Sequence, residues 1–219
     1  MVRQAPPEGA RMSPNLSVLS AGTELWRCHE TAYACTEFNP KPAHSFFGGN
    51  RFDATAEDRY GYLYAAVEPT TTLAEVMLRD MEFTGPEGRR QVPWALAATR
   101  SLSKVRVTED LTLVRLVGEE DLAAVFQTSW LLETDDYAQT RAWAREIRRQ
   151  VPGAHGLMWQ SRRHRPHPAL VLFGDRCGEE PLKAVPGQTH NLGTFEGASV
   201  ANRLLAPLRA VVIPPGMRT

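Results

Sequence analysis

Between Tyr60 and Val67 the chain alternates with a period of two. Tyr60, Tyr62, Tyr64 and Ala66 share one parity, and Leu63, Ala65 and Val67 share the other. Successive strand residues point to opposite faces. The pattern predicts a strand whose aliphatic face enters a core while its tyrosines line one continuous surface. Glu68-Pro69 ends it. Leu73, Val76, Met77 and Met81 follow at helical spacing, behind three threonines, Thr70 to Thr72, that are N-cap candidates. Glu75 lies off the apolar stripe and so faces solvent or a cleft.

Elsewhere, Glu24 to His29 reads as a short strand. Trp94 to Thr99, Lys104 to Thr108 and Thr112 to Val117 read as three more, the last two joined as a hairpin across Glu109-Asp110. Glu119 to Gln127 predicts a short helix with Leu122, Val125 and Phe126 on its apolar side. The clearest helix spans Asp135 to Val151, with a stripe of Tyr137, Thr140, Ala144, Ile147 and Val151. Its acidic start and basic end, Asp135-Asp136 and Arg148-Arg149, suit the helix dipole, and Pro152-Gly153 stops it. Gly156 to Ser161 and Ala169 to Phe173 read as strands, the second one buried. From Gly178 onward the chain is loop-rich, with one helix near Ala198 to Leu205 and a last apolar run from Ala210 to Ile213. Met1 to Asn15, rich in Pro, Gly, Arg and Ser, reads as a loose arm. Strands and helices mix without a regular βαβ alternation. The expected fold class is therefore α+β, a single domain with a mixed or mostly antiparallel sheet.

Composition narrows the function. The 219 residues, 42% of them hydrophobic, can build a real core. A formal net charge of zero argues against a protein that coats nucleic acid or an anionic membrane. There is no apolar run long enough for a membrane span and no signal-peptide core at the N-terminus. Cys28, Cys35 and Cys177 are odd in number and irregularly spaced, which predicts reduced thiols and a cytoplasmic location.

Several chemical signatures are missing. The chain has no Walker-type loop, no G-x-G-x-x-G after a strand and no G-x-S-x-G elbow. His155, His164, His167 and Cys177 share a region, but their spacing matches no zinc pattern, so no metal is expected. Arg162, Arg163, His164 and Arg165 beside Trp159 could bind nucleic acid by charge and stacking, but a neutral chain favours a solvated strand exit. A Gly-rich turn at Gly48-Gly49 delivers Arg51. That arginine, the tyrosine strand and Glu75 could converge on one site. Read by themselves, Thr72-x-x-Glu75 also fits a capping box, and Ser161 also fits a strand-end residue bonded to backbone.

The order G-x-R-F-D (Gly49 to Asp53), Y-L-Y-A-A (Tyr62 to Ala66), L-A-E-V (Leu73 to Val76), G-L-M-W-x-S-R-R (Gly156 to Arg163) and A-L-V-L-F-G-D-R (Ala169 to Arg176) resembles the RES domain family. The family's namesake arginine, glutamate and serine fall at Arg51, Glu75 and Ser161. The resemblance runs from about residue 25 to 176. It leaves residues 1–24 as an N-terminal arm and 177–219 as a C-terminal extension packed on the same domain. What it implies is a fold similar to the ADP-ribosyltransferase toxins and an enzyme that takes NAD as substrate, with no further cofactor. It further implies the toxin of a toxin–antitoxin pair, facing an antitoxin with a helix-turn-helix domain.

In that reading the nicotinamide–ribose bond is cleaved by water or phosphate, through a transition state with oxocarbenium character. Glu75 would hold ribose hydroxyls and stabilise the positive charge. Arg27 and Arg51 would grip the pyrophosphate. Tyr64 would meet the nicotinamide half, and the backbone at Gly156 would form a further pocket segment. Ser161 would bond ribose, amide or phosphate, and is not expected to be a covalent nucleophile. Two rival readings stand beside it. One is a protein ADP-ribosyltransferase using the same site, and the other is a non-enzymatic nucleic-acid- or protein-binding module.

Overall fold

The computed structural model describes residues 9–79 and 81–216. The first part of the expected arm, residues 1–8, lies outside the described residues. In chain order the elements are β1 (Leu16–Leu19), β2 (Glu24–Glu30), β3 (Tyr62–Ala66), α1 (Pro69–Met77), β4 (Arg90–Val92), α2 (Trp94–Ala98), β5 (Arg100–Val107), β6 (Leu111–Leu116), α3 (Glu119–Ala123), α4 (Trp130–Glu133), α5 (Tyr137–Gln150), β7 (Gly156–Gln160), β8 (Pro168–Phe173), β9 (Leu182–Asn191), α6 (Phe195–Leu205) and, after a 3-10 turn, β10 (Ala210–Val212).

Eight strands form one sheet in the order β1-β6-β7-β8-β3-β2-β5-β9, and β10 pairs with β4 separately. Within the large sheet only β6 and β7 run parallel; the other pairs are antiparallel. The fold is thus α+β with a mixed, mostly antiparallel sheet.

The sheet is nearly divided at its centre. The β2–β5 ladder runs over seven residue pairs, from Glu24↔Arg106 to Glu30↔Arg100. The β3–β8 ladder runs from Tyr62↔Phe173 to Ala66↔Ala169. Between these ladders, β2 and β3 meet only at Trp26↔Ala66. Beyond that point they splay apart. Thr72 Oγ1 accepts the Cys28 N–H at 3.3 Å, and Asn39 exchanges backbone hydrogen bonds with Tyr62.

Each half has its own helical cover. On the β6–β7–β8–β3 side, α5 buries Trp143, Ala144 and Ile147 against Phe52, Leu157, Trp159 and Phe173. On the β2–β5 side, α1 and α6 bury Leu73, Met77, Ala201 and Leu205 with Leu102. Truncating a residue such as Trp143, 1% exposed, to alanine costs about 3–5 kcal/mol in cores of this kind. Two arginines of α5 are also buried, and they tie down the long β2–β3 connection. Arg141 donates to the carbonyls of His44, Gly48 and Asn50. Arg148 pairs with Asp58 and Asp175.

Several sequence expectations are corrected. Trp94–Ala98 is a helical turn rather than a strand; Pro93 precedes it and its Ala-rich sequence carries no β-branched residue. β5 and β6 are not a hairpin, because β5 lies between β2 and β9 while β6 lies between β1 and β7. The region after Gly178 holds a ten-residue edge strand, β9. Residues 10–15 are tied down: Met12 N–H donates to Gln150, and the Asn15 amide to Asp121. The tyrosines do not form an open surface, since Tyr60 and Tyr62 are buried and pack edge-on. Glu68, not a threonine, is the N-cap of α1, with Pro69 after it. The predicted threonines lie inside the first turn. Their hydroxyls bind outward, to Leu204 O, His164 and the Cys28 N–H.

Candidate active site

The gap between β2 and β3 is a cleft of about 590 Å³. β2 contributes Arg27 to Glu30, β3 contributes Tyr62, Tyr64 and Ala65, and α1 contributes Thr72, Glu75 and Val76. The β2–β3 connection supplies Asn50 and Arg51, and Trp159 closes one wall. Four of the six predicted site residues, Arg27, Arg51, Tyr64 and Glu75, therefore line one cavity.

Glu75 is not a cap. Its Oε1 accepts a 2.6 Å hydrogen bond from Ser161 Oγ, so no capping box forms with Thr72. Ser161 is fully buried. Its Oγ accepts the N–H groups of Arg163 (3.2 Å) and His164 (3.0 Å). A hydroxyl has one donor and two acceptor positions, and here all three are occupied. All of its hydrogen-bonding positions are thus taken by protein groups. Its place is behind Glu75, where it fixes the carboxylate.

Arg51 arrives through the turn Gly48-Gly49, where both glycines have positive φ; at Gly49 an added Cβ would also lie 2.7 Å from Ala43 Cβ. Arg51 Nη1 donates to the carbonyls of Leu131 and Thr134, and the guanidinium lies 5.2 Å from the centre of the Tyr137 ring. Burial lowers its pKa. Arg27 Nη1 donates to the carbonyls of Cys35 (2.8 Å) and Glu37 (2.6 Å), holding the loop that follows β2. Burial brings its pKa down to about 10. Each arginine is thus part anchor and part cleft wall.

Tyr64 OH donates to Asp53 at 2.8 Å and accepts the Phe52 N–H at 3.0 Å. Burial raises its pKa, and the phenol stays protonated. With its hydroxyl occupied, Tyr64 offers the cleft a ring rather than a hydrogen bond. That ring packs edge-on against Trp159, 6.0 Å between centres.

Gly156 does not join the site. It begins β7 opposite Leu172 of β8, and a Cβ there would sit 2.2 Å from the Val171 carbonyl oxygen. Glycine is needed here for strand packing, and the cleft lining does not include it.

The cleft holds further groups that sequence reasoning missed. Arg79, four residues after Glu75, donates to Asn50 Oδ1 and lies 5.4 Å from the centre of the Tyr137 ring. Helical spacing from Glu75 was the available signal. Arg162 and Arg163 also line the cleft, whereas Arg165 faces outward. Arg162 pairs with Asp135 at 2.8 Å and Arg165 with Glu133 at 2.6 Å. The histidines of that region are engaged too: His155 Nδ1 accepts the Thr112 N–H, and His164 bonds Thr71.

The lining carries seven cations, Arg27, Lys41, Arg51, Arg79, Arg100, Arg162 and Arg163, against Glu30, Glu37 and Glu75. Glu30 stands opposite Arg100 across the β2–β5 ladder. Among the described residues, the lining arginines Arg51, Arg79 and Arg163 form no ion pair with a carboxylate. A low-dielectric pocket with that surplus favours an anion. Among the described residues no cluster of His, Cys, Asp or Glu could hold a metal ion, and no helix is long and apolar enough to cross a membrane.

Comparison with known proteins adds two findings. The RES domain description matches residues 24–193. The fold is similar to that of a chain in the crystal structure of the M. tuberculosis MbcT–MbcA toxin–antitoxin complex. The TM-score is 0.60 at 14% identity, covering 86% of this chain and 92% of that one. No curated protein sequence matches significantly.

Proposed function

The chain belongs to the RES domain family, and from that premise we propose that it cleaves the nicotinamide–ribose bond of NAD and serves as the toxin of a toxin–antitoxin pair. The observation that carries the chemistry is Glu75, held by a saturated Ser161 at the edge of an arginine-rich, aromatic-walled cleft. The similarity to a chain from a toxin–antitoxin complex supports the biological setting and the expectation of a protein partner.

In this reading Arg51, Arg79 and Arg163 receive the pyrophosphate, with Arg27 beside them. Guanidinium forks suit phosphate oxygens. The nicotinamide half lies against the rings of Tyr64 and Trp159. The glycosidic C1′–N bond breaks and its electron pair leaves with nicotinamide. Positive charge develops on the ribose, where the fixed Glu75 carboxylate stabilises it without reorganising. Water or phosphate then adds at C1′; when water adds, its proton passes to solvent. Ser161 takes no part in bond formation.

The test is NAD turnover by the purified full chain, with and without phosphate, products separated by chromatography. Nicotinamide release is expected, with free ADP-ribose marking hydrolysis and a phosphorylated ADP-ribose marking phosphorolysis. Glu75→Gln keeps an oxygen that can accept the Ser161 hydroxyl, so the fold should persist while turnover falls at least a hundredfold, on the order of one lost transition-state contact. Full turnover by folded Glu75→Gln, or none by the folded wild type, would overturn the proposal. For the biological role, expression in a bacterial host should deplete NAD and arrest growth, and Glu75→Gln should do neither.

A further inference from the structure

Glu75 is gripped by the β7–β8 loop once through Ser161, and the same loop grips α1 a second time. His164 Nδ1 and Thr71 Oγ1 share a 2.8 Å hydrogen bond. Thr71 is fully buried and lies four residues before Glu75. Residues four apart on a helix share a face, so the two contacts sit one turn apart on α1. On the loop side the contacts come from Ser161 and His164, three residues apart.

We propose that His164 is a positioning residue for Glu75, setting the register between the β7–β8 loop and α1. This rests on the NAD-cleaving reading above. The loop is built to transmit that register. The His164 N–H donates to Ser161 Oγ, so the residue that bonds Thr71 also supplies one of the two donors that saturate the serine. With both acceptor positions of the serine filled, its hydroxyl proton is directed at Glu75. The loop closes on itself through Ser161 N–H to His167 O (2.9 Å) and His167 N–H to His164 O (3.0 Å). The His164 ring is stacked on His167, 4.3 Å between centres and 19° from parallel, which fixes its orientation. Breaking the Thr71 contact frees the loop to slide along α1 and carries Ser161, and with it the carboxylate, away from its set position. Misplacement of about 1 Å at a catalytic group is worth up to about a hundredfold in rate.

The experiment uses the full chain and four variants: His164→Ala, His164→Asn, Thr71→Val and the double variant H164A/T71V. kcat and KM for NAD are measured with the melting temperature. His164→Ala should lower kcat roughly tenfold and raise KM by less, because Glu75 loses its set position while of the binding arginines only Arg163 rides on the loop. His164→Asn places an amide near the Nδ1 position and should recover most of the rate. Thr71→Val keeps the buried volume and should match His164→Ala. The double variant should be no slower than either single variant, since both remove one bond. Unchanged kcat in His164→Ala, or losses that multiply in the double variant, would overturn the inference. If His164→Ala does not fold, His164→Asn and Thr71→Val decide it, the first active and the second slow. A wild type that turns over no NAD removes the enzymatic reading and this inference together. An active wild type with an indifferent His164 removes only the inference.

Discussion

Replacing Ser161 with alanine separates two roles that the sequence left open. If the serine touched substrate, its loss would raise KM and leave the fold alone. The structure places it as a buried clamp, and three bonds vanish with the hydroxyl. A hydrogen bond to a charged acceptor contributes about 1.5–3 kcal/mol, and a buried N–H without an acceptor costs about 1–3 kcal/mol. Water entering the vacated space recovers part of this, for a net loss of roughly 3 kcal/mol. For a chain of this length each kcal/mol shifts the melting temperature by about 2–4 °C, so the expected fall is roughly 6–12 °C. Glu75 loses its only hydrogen-bonding partner among the described residues, and kcat should fall ten- to a hundredfold, on the order expected for a misplaced group. Calorimetry and steady-state NAD kinetics on the same preparation read both effects. An unchanged melting temperature with raised KM and unaltered kcat would refute the clamp and return Ser161 to the substrate.

Two further outcomes test the surrounding fold. Gly156→Ala drives a Cβ to 2.2 Å from the Val171 oxygen and should destabilise by roughly 3 kcal/mol or more, the scale of severe overpacking; chemical denaturation checks it, and a stable variant with only weakened substrate binding would restore the pocket role. Asp121 is 3% exposed; burial pushes its pKa up, but the N–H groups of Gly118 and Val117, the Asn15 amide and Arg115 outweigh this and leave it lowered. A lowered folded value means its stabilisation is present above the unfolded pKa of about 4 and is lost as pH falls through the folded one. The stability gap between wild type and Asp121→Asn should therefore be full near neutral pH and shrink in acid, and a gap equally large at about pH 3 and about pH 7 would contradict the linkage.

The legible parts of this chain were those with a strong period. Tyr62–Ala66, Pro168–Phe173 and Tyr137–Gln150 were all visible as alternation, apolar run or helical stripe. β9 was not. It reads Leu-Lys-Ala-Val-Pro-Gly-Gln-Thr-His-Asn and lies on the sheet edge, where one side of the ladder is free and a Pro-Gly pair is tolerated. Short separation alone suggests a hairpin at Glu109-Asp110, but this link carries the chain from one half of the sheet to the other. In the site, Arg51, Glu75 and Ser161 came from the ordered motifs, while the seriality of Glu75, Ser161 and backbone is a matter of burial that no linear pattern records. Arg162 and Arg163 are hidden by their own neighbours, since a run of basic residues reads as surface until the fold turns two of them into the cleft.

Backbone pairing joins β2 to β3 only at Trp26 and Ala66, while a core shared by Leu25, Leu63, Val105 and Leu170 backs both halves like the spine of two leaves. A molecule lodged between the leaves touches Arg27 on one and Tyr64 on the other. If the proposed function holds, bound NAD is therefore a rivet across the joint as well as a reactant. Under the proposed reaction, cleavage would remove that rivet as the products form.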